Sequence, residues 1–333
     1  MNHILAICDA EEAYASKLTE YINQKESFPF QARSFFSIEK VKEFCQRQEI
    51  EVLLLTEKWK TEGEDLENVD KIFLLQESND LTENEDKQIW KYQSSEALLK
   101  ELLALLALEP GRTAHIRRRQ SLHVTGFYSP VKRSLQTTFA LTMGQILGKR
   151  GKTLYVNLES YSGLGKLVGR EFSHDLSDLL YYLQNGKNNL ELYLSSITEQ
   201  IGNLEVLPPM HCQMDLISIL PREWLQLFYE IETHTEYEYL LLDLSDSVQG
   251  LFELLQQCDR IFTTTAEDGV ALAKLDQYER MLEQCQYEEI MEKTCKCKFP
   301  HIEYLPKQLD RLPGCELAQI AREYLKEDYH AKR

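Results

Sequence analysis

The sequence predicts an α/β protein of two doubly wound, mostly parallel domains, each a three-layer arrangement of helices around a sheet. Three observations carry that prediction. Runs such as HILAIC (3–8), EVLLLTE (51–57) and YEYLLLDLSD (237–246) are largely apolar throughout rather than alternating, the mark of strands covered on both faces. Between such runs lie stretches of helical period, an order that brings each strand back parallel to the last. A Pro110-Gly111 stop, followed by the basic run GRTAHIRRRQ (111–120), divides the 333 residues into segments 1–110 and 121–333, each long enough for its own core.

In the first segment HILAIC begins the sheet and EEAYASKLTEYINQK follows as an amphipathic helix. FQARSFFS, IEKVKEFCQRQ and EVLLLTE continue as strand, helix and core strand, and KIFLLQES (71–78) and KQIWKYQ (87–93) add two strands. SSEALLKELLALLALEPG closes the segment as a helix, capped at Ser94 or Ser95. TEKWKTEGEDLENVD, between the third and fourth strands, is too polar for a packed helix.

The second segment opens on the strand SLHVTGFY. A helix from Thr137 ends on Lys149-Arg150-Gly151, with cations in the last turn and glycine after it. TLYVNLES (153–160), NLEVLPPM (203–210), YEYLLLDLSD and RIFTTTAED (260–268) read as strands. PREWLQLFYEIETHTE and a long stretch ending near Cys285 read as helices, and FPHIEYLP with ELAQIAREYL completes the unit. In that last helix Leu317, Ile320, Tyr324 and Leu325 share one face. The stretch is too short and too mixed in charge for a membrane-surface helix, so it is expected to pack on its own domain.

A formal net charge of −17 argues against a nucleic-acid partner held by phosphate neutralisation. The basic run with Arg112, Arg117, Arg118 and Arg119 reads as an exposed linker. No apolar run reaches the roughly 18 residues that span a bilayer, and MNHILAICDAEEAY lacks the basic start of a signal peptide. The expected location is cytoplasmic. Eight irregularly spaced cysteines read as reduced thiols. Cys295-Lys-Cys297 is the one close pair, and with only His301 nearby it falls short of the four ligands of a structural zinc. No metal site is expected.

The order of elements in segment 1–110 resembles the flavodoxin-like receiver domain of response regulators. Receivers carry an acidic pair after strand one, a phospho-accepting aspartate ending strand three and a lysine after strand five. Asp9 and Glu11 lie near the first position and Lys91 near the last, but Thr56, with Glu57 beside it, stands at the acceptor position. Phosphoryl transfer of this kind needs a carboxylate nucleophile. The resemblance therefore implies a receiver-like domain without phosphorylation.

GFYSPVKRSLQTT (126–138) lies between a strand and a helix, where a phosphate-binding loop belongs. The second segment resembles the MinD/ParA group of P-loop ATPases, and the whole chain resembles the pilus-assembly proteins TadZ and CpaE, which join a receiver-like domain to such an ATPase. The group's loop reads roughly KGGVGKTT, often after Ser-Pro. Ser129-Pro130 matches the lead-in and Thr137-Thr138 the end. Val131 replaces the signature lysine, Lys132, Arg133 and Leu135 stand for glycines, and Gln136 replaces the P-loop lysine. Asn157 and Glu159 fall at the acidic positions of the second strand, and Asp243 matches the Walker B aspartate.

Glycines let backbone N–H groups close on phosphates, the lysine neutralises them, and the hydroxyl holds Mg²⁺. With the first two lost, the resemblance implies a non-catalytic or weakly nucleotide-binding scaffold for a Flp/Tad-type pilus or a secretion apparatus. Such a protein requires no cofactor, residual Mg-ATP binding being left to Thr137, the helix N-terminus and the charges of Lys132 and Arg133. The implied partners are proteins of that machine and a second copy of the chain, with membrane or cell-pole contact only through partners. The rival reading is a true ATP-dependent dimerisation switch, DNA-partition ATPases included, with Lys132 or Arg133 in place of the lost lysine.

Overall fold

The computed structural model describes residues 3–25, 28–64, 66–77, 87–108, 122–132, 135–185, 189–302 and 304–331. The basic run 111–120 and Arg133 lie outside them. The chain divides into two compact units, Met1–Glu109 and Pro110–Arg333.

The first unit has five strands, β1 (Ile4–Cys8), β2 (Gln31–Phe35), β3 (Ile50–Thr56), β4 (Val69–Gln76) and β5 (Gln88–Trp90). They pair in the order β2-β1-β3-β4-β5, all parallel. β1 and β3 lie inside the sheet and are buried almost end to end, so their apolar runs do not alternate. Helices Glu12–Asn23, Ile38–Cys45 and Ser95–Leu108 cover the faces. After β3 the polar stretch makes only a 3₁₀ turn, Glu57–Trp59, and a five-residue helix, Lys60–Glu64. In this strand order the crevice for a ligand opens at the carboxyl ends of β1 and β3.

The second unit has a seven-stranded sheet of β6 (His123–Phe127), β7 (Thr153–Leu158), β8 (Glu199–Ile201), β9 (Leu204–Leu207), β10 (Tyr239–Leu244), β11 (Arg260–Thr265) and β12 (Thr294–Lys298). Their order is β12-β11-β6-β10-β7-β9-β8, parallel except for the β8–β9 hairpin. β10 is central, with Asp243 opposite Phe127 on one side and Asn157 on the other.

Helix Gln136–Leu147 lies between this sheet and helix Glu316–Ala331. Every residue from Phe139 to Leu147 is buried, as a helix enclosed on all sides requires. Phe139 packs on Phe262, Phe299 and Tyr324 at ring separations of 5.7, 4.9 and 6.1 Å, so the C-terminal helix is locked to its own unit. Leu317, Ala318, Ala321 and Leu325 supply its buried stripe. At the far end of the central helix a Cβ on Gly148 would meet the Asn203 carbonyl oxygen at 1.9 Å, so only glycine fits under the β8–β9 turn.

Two strands were not read from the sequence. The last one is Thr294–Lys298, ahead of FPHIEYLP, and β8 has only three residues. Cys295 and Cys297 thus sit two apart on β12 and face the core, with Cys297 fully buried. Among the described residues no group of three or more His, Cys, Asp or Glu side chains is arranged to hold a metal ion.

Candidate functional site

The carboxyl ends of β6, β7 and β10 meet the N-terminus of helix Gln136–Leu147. Period-two alternation places Tyr155 and Asn157 on one face of β7 and Leu241 and Asp243 on the same face of β10, under that helix. Asp243 has no solvent exposure. Burying a carboxylate costs several kcal/mol unless its lone pairs are met, and here they are met by neutral donors. Gln136 Nε2 donates to Asp243 Oδ1 at 2.7 Å. The Tyr155 hydroxyl donates to Oδ2 at 2.8 Å, and Asn157 Nδ2 lies 3.3 Å from the same oxygen.

The donors are themselves tied together. Asn157 Nδ2 also reaches the Tyr155 oxygen at 2.9 Å, and Gln136 Nε2 reaches the Leu244 carbonyl at 3.1 Å. Beside this knot the Thr137 hydroxyl donates to Glu159 Oε2 at 3.1 Å, and the Glu159 N–H donates to Asn157 Oδ1 at 3.2 Å. Thr138 uses its carbonyl to accept from the Thr142 hydroxyl at 2.6 Å.

The charges respond to this enclosure. Burial pushes the Asp243 carboxyl up, opposed by hydrogen bonds to it, that of Gln136 first. Burial, then the Asp243 charge, lift Glu159 to about 7, with Thr137 pulling the other way. Burial and the Asp243 charge hold the Tyr155 phenol well above its usual range, so it stays a donor.

The loop before the helix is pinned from both sides. Lys132 pairs with Asp246, whose other oxygen accepts from the Tyr128 hydroxyl at 2.7 Å. Ser129 Oγ donates to the Thr264 carbonyl at 2.6 Å, and the Val131 N–H donates back to Ser129 Oγ at 3.2 Å. Val131 is buried rather than presented to a partner. Lys132 and Leu135, two of the three residues at glycine positions, have φ of 53° and 90°. Both are in the left-handed region that favours glycine, and each costs on the order of 1 kcal/mol there.

The groups that the resemblance would assign to Mg-ATP are engaged with one another. Position 136 carries a neutral amide that already donates to Asp243. Asp243 accepts from three neutral donors, Thr137 is turned to Glu159, and Lys132 is held by Asp246. Gln136, Thr137, Asn157, Glu159 and Asp243 thus form one connected group. Lys132 lies on a separate ion pair, and Arg133 falls outside the described residues.

Tyr155, Tyr128 and Asp246 were missed by the sequence reading. A signal for Tyr155 existed, because Tyr155, Asn157 and Glu159 recur at period two in TLYVNLES. Asp246 follows Asp243 by three residues in a polar loop and carries no such mark.

In the first unit Asp9, Glu11 and Lys91 do meet. Lys91 Nζ lies 2.9 Å from Asp9 Oδ2, 2.8 Å from Glu11 Oε1 and 3.7 Å from Glu77 Oε1. Thr56 ends β3 and is buried.

No family model matches the chain, and no curated protein matches it. Solved structures do. A ParA family ATPase from Chlorobium tepidum TLS is 16% identical with a TM-score of 0.49, over 61% of this chain and 97% of that one. A plasmid partition protein from Borrelia burgdorferi is 14% identical with a TM-score of 0.45, over 62% and 100%. The MinD cell division protein of Aquifex aeolicus is 18% identical with a TM-score of 0.40, over 53% and 68%. The chain is similar to MinD- and ParA-type proteins, but at TM-scores below 0.5 the likeness adds nothing to what the site's own residues establish.

Proposed function

We propose that this protein is a non-catalytic scaffold of MinD/ParA type, whose phosphate pocket is closed by its own side chains and which acts through protein surfaces. The observation that carries the reading is the engagement of Asp243 by three neutral donors, Gln136, Tyr155 and Asn157. An ATPase of this plan needs that carboxylate for Mg²⁺ and a cation at position 136 for the phosphates. On this reading Asp243 and Gln136 are engaged with one another, and no cofactor is needed for the scaffold role.

The finer role follows the resemblance of the whole chain. We infer that residues 1–110 form a receiver-like domain that is not phosphorylated and residues 121–333 a MinD-like domain, joined through the basic linker. Together they mark an assembly site for a Flp/Tad-type pilus or a secretion apparatus, the chain working as a homodimer from the cytoplasm and reaching the membrane or cell pole through partners. No helix among the described residues is long and apolar enough to cross a membrane. Crosslinking in the native cell, followed by identification of the captured proteins, tests this. Recovery of envelope-spanning pilus or secretion components is the expected result, and recovery of unrelated cytosolic proteins alone overturns it.

A further inference from the structure

Each of the two sheets has two outer strands, and an outer strand turns peptide groups away from its sheet, where a further strand can pair with them. Three of the four are ill suited to that pairing. β5 and β8 have three residues each, and β12 carries the exposed side chains of Lys296 and Lys298. The fourth, β2, is five residues long. Its one charged residue, Arg33, stacks on Phe44 with 5.1 Å between guanidinium and ring, so the charge lies over the helix Ile38–Cys45.

The register fixes which groups of β2 face outward. The Gln31 N–H donates to the His3 carbonyl at 2.7 Å, and the Phe35 carbonyl accepts from the Asp9 N–H at 3.1 Å. Gln31, Arg33 and Phe35 therefore turn their peptide groups toward β1, and Ala32 turns its N–H and C=O to the outside. One side chain takes both. The Ala32 N–H donates to Asn23 Oδ1 at 2.9 Å, and Asn23 Nδ2 donates to the Ala32 carbonyl at 3.1 Å. This is the pair of bonds that an added antiparallel strand would make with Ala32. Asn23 ends the helix Glu12–Asn23, which packs on β2 where the Ala32 side chain is buried, so the amide is delivered from a fixed support.

We propose that Asn23 guards this edge by standing in for a neighbouring strand, and that the strand it keeps out is β2 of a second copy. β2 is complementary to itself. Antiparallel pairing about a two-fold axis at Ala32 lets the two Ala32 residues exchange N–H···O bonds and sets Arg33 against Gln31 of the other copy, with no like charges opposed. The wild-type chain keeps this edge out of its contacts with other copies. None of these residues belongs to the pocket of the second unit.

The test uses the full chain, with self-association read by sedimentation equilibrium and hydrogen exchange read at the Ala32 amide by NMR. Asn23→Ala is expected to strengthen self-association about tenfold or more over the wild type, the effect of roughly two added hydrogen bonds. Its Ala32 amide exchanges faster than that of the wild type in dilute solution and regains protection as the protein is concentrated. Gln31→Glu added to Asn23→Ala faces Arg33 of the other copy and strengthens the association, whereas Gln31→Lys weakens it. Where Asn23→Ala folds poorly, Asn23→Ser, whose shorter side chain does not span both groups, takes its place with the same expectations. A folded variant that associates no more than the wild type overturns the assignment. So does an Ala32 amide whose exchange the substitution leaves unchanged, or an association that both Gln31 substitutions leave unaltered. Wild-type self-association that Gln31→Glu and Gln31→Lys shift in opposite directions also overturns it, because the edge would then already be in use.

Discussion

Each of the two sheets gathers carboxylates at its carboxyl end, and each unit deals with them differently. In the first, three carboxylates meet a buried ammonium. In the second, one fully buried carboxylate meets an amide, a phenol and a second amide, none of them charged. Ionisation follows the choice. Hydrogen bonding and charge from Lys91 pull Glu11 below the usual carboxylate range, whereas burial and the Asp243 charge push Glu159 up to about 7. A cation cancels charge, while neutral donors satisfy lone pairs but leave the charge in place. The first unit is therefore stable in its ionised form, and the second is under electrostatic tension that pH can relieve.

Breaking each cluster at its centre has the largest expected effect. Lys91→Gln leaves Asp9 buried without its cation and is expected to destabilise the first unit by about 3–5 kcal/mol, as removal of one member of a buried ion pair does. Asp243→Ala strands the Gln136, Tyr155 and Asn157 donors and is expected to cost about 2–4 kcal/mol, whereas Asp243→Asn keeps the shape and costs less. Urea unfolding of both sets checks the ranking.

The pH dependence sharpens the contrast. Glu159 has a folded pKa of about 7, above its ordinary value, so the folded state holds its proton more tightly than the unfolded one. Its ionisation weakens the fold as pH rises from about 4.5 to 7, and the cost is fully present above that window. Lowering the pH from 8 to 5 is expected to return ~1–2 kcal/mol, less than the full shift implies because the group is partly solvated. Glu159→Gln removes that component, seen as a flatter stability-versus-pH curve than the wild type. The ion cluster around Lys91 contributes with the opposite sign, since Glu11, held low, loses its benefit only as pH falls through its folded pKa.

The smallest effect concerns the loop. Leu135→Gly relieves a left-handed backbone at φ 90° and is expected to stabilise by roughly 0.5–1 kcal/mol, despite the added freedom of the unfolded chain. A small rise in denaturation midpoint with unchanged slope would show it.

Much of the fold was legible because buried parallel strands announce themselves. HILAIC, EVLLLTE and YLLLD are apolar on both faces, and all three lie inside their sheets. TCKCK was not legible, because an edge strand buries fewer of its side chains and Cys297 is its only fully buried residue. EQI is too short to show a period. Within the site, it was the resemblance to the MinD/ParA motifs that singled out Gln136, Thr137, Asn157, Glu159 and Asp243. Which donor each acceptor takes was hidden, since amides and hydroxyls read the same whether they face a ligand or one another. The positive φ at Lys132 and Leu135 was hidden as well, because side chains at those positions argue against the turn that the backbone makes.

The central claim, that the pocket is closed by its own donors, is tested most directly by a thermal melt of the wild type with and without about 1 mM Mg-ATP, repeated on Thr137→Ala. A ligand bound only to the folded state at 100 times its Kd adds about 2.7 kcal/mol, a shift of roughly 5–10 °C for a unit of this size. The account predicts no shift in either protein. A rise in the wild type that Thr137→Ala abolishes would contradict it and would make the nucleotide-driven switch the better description.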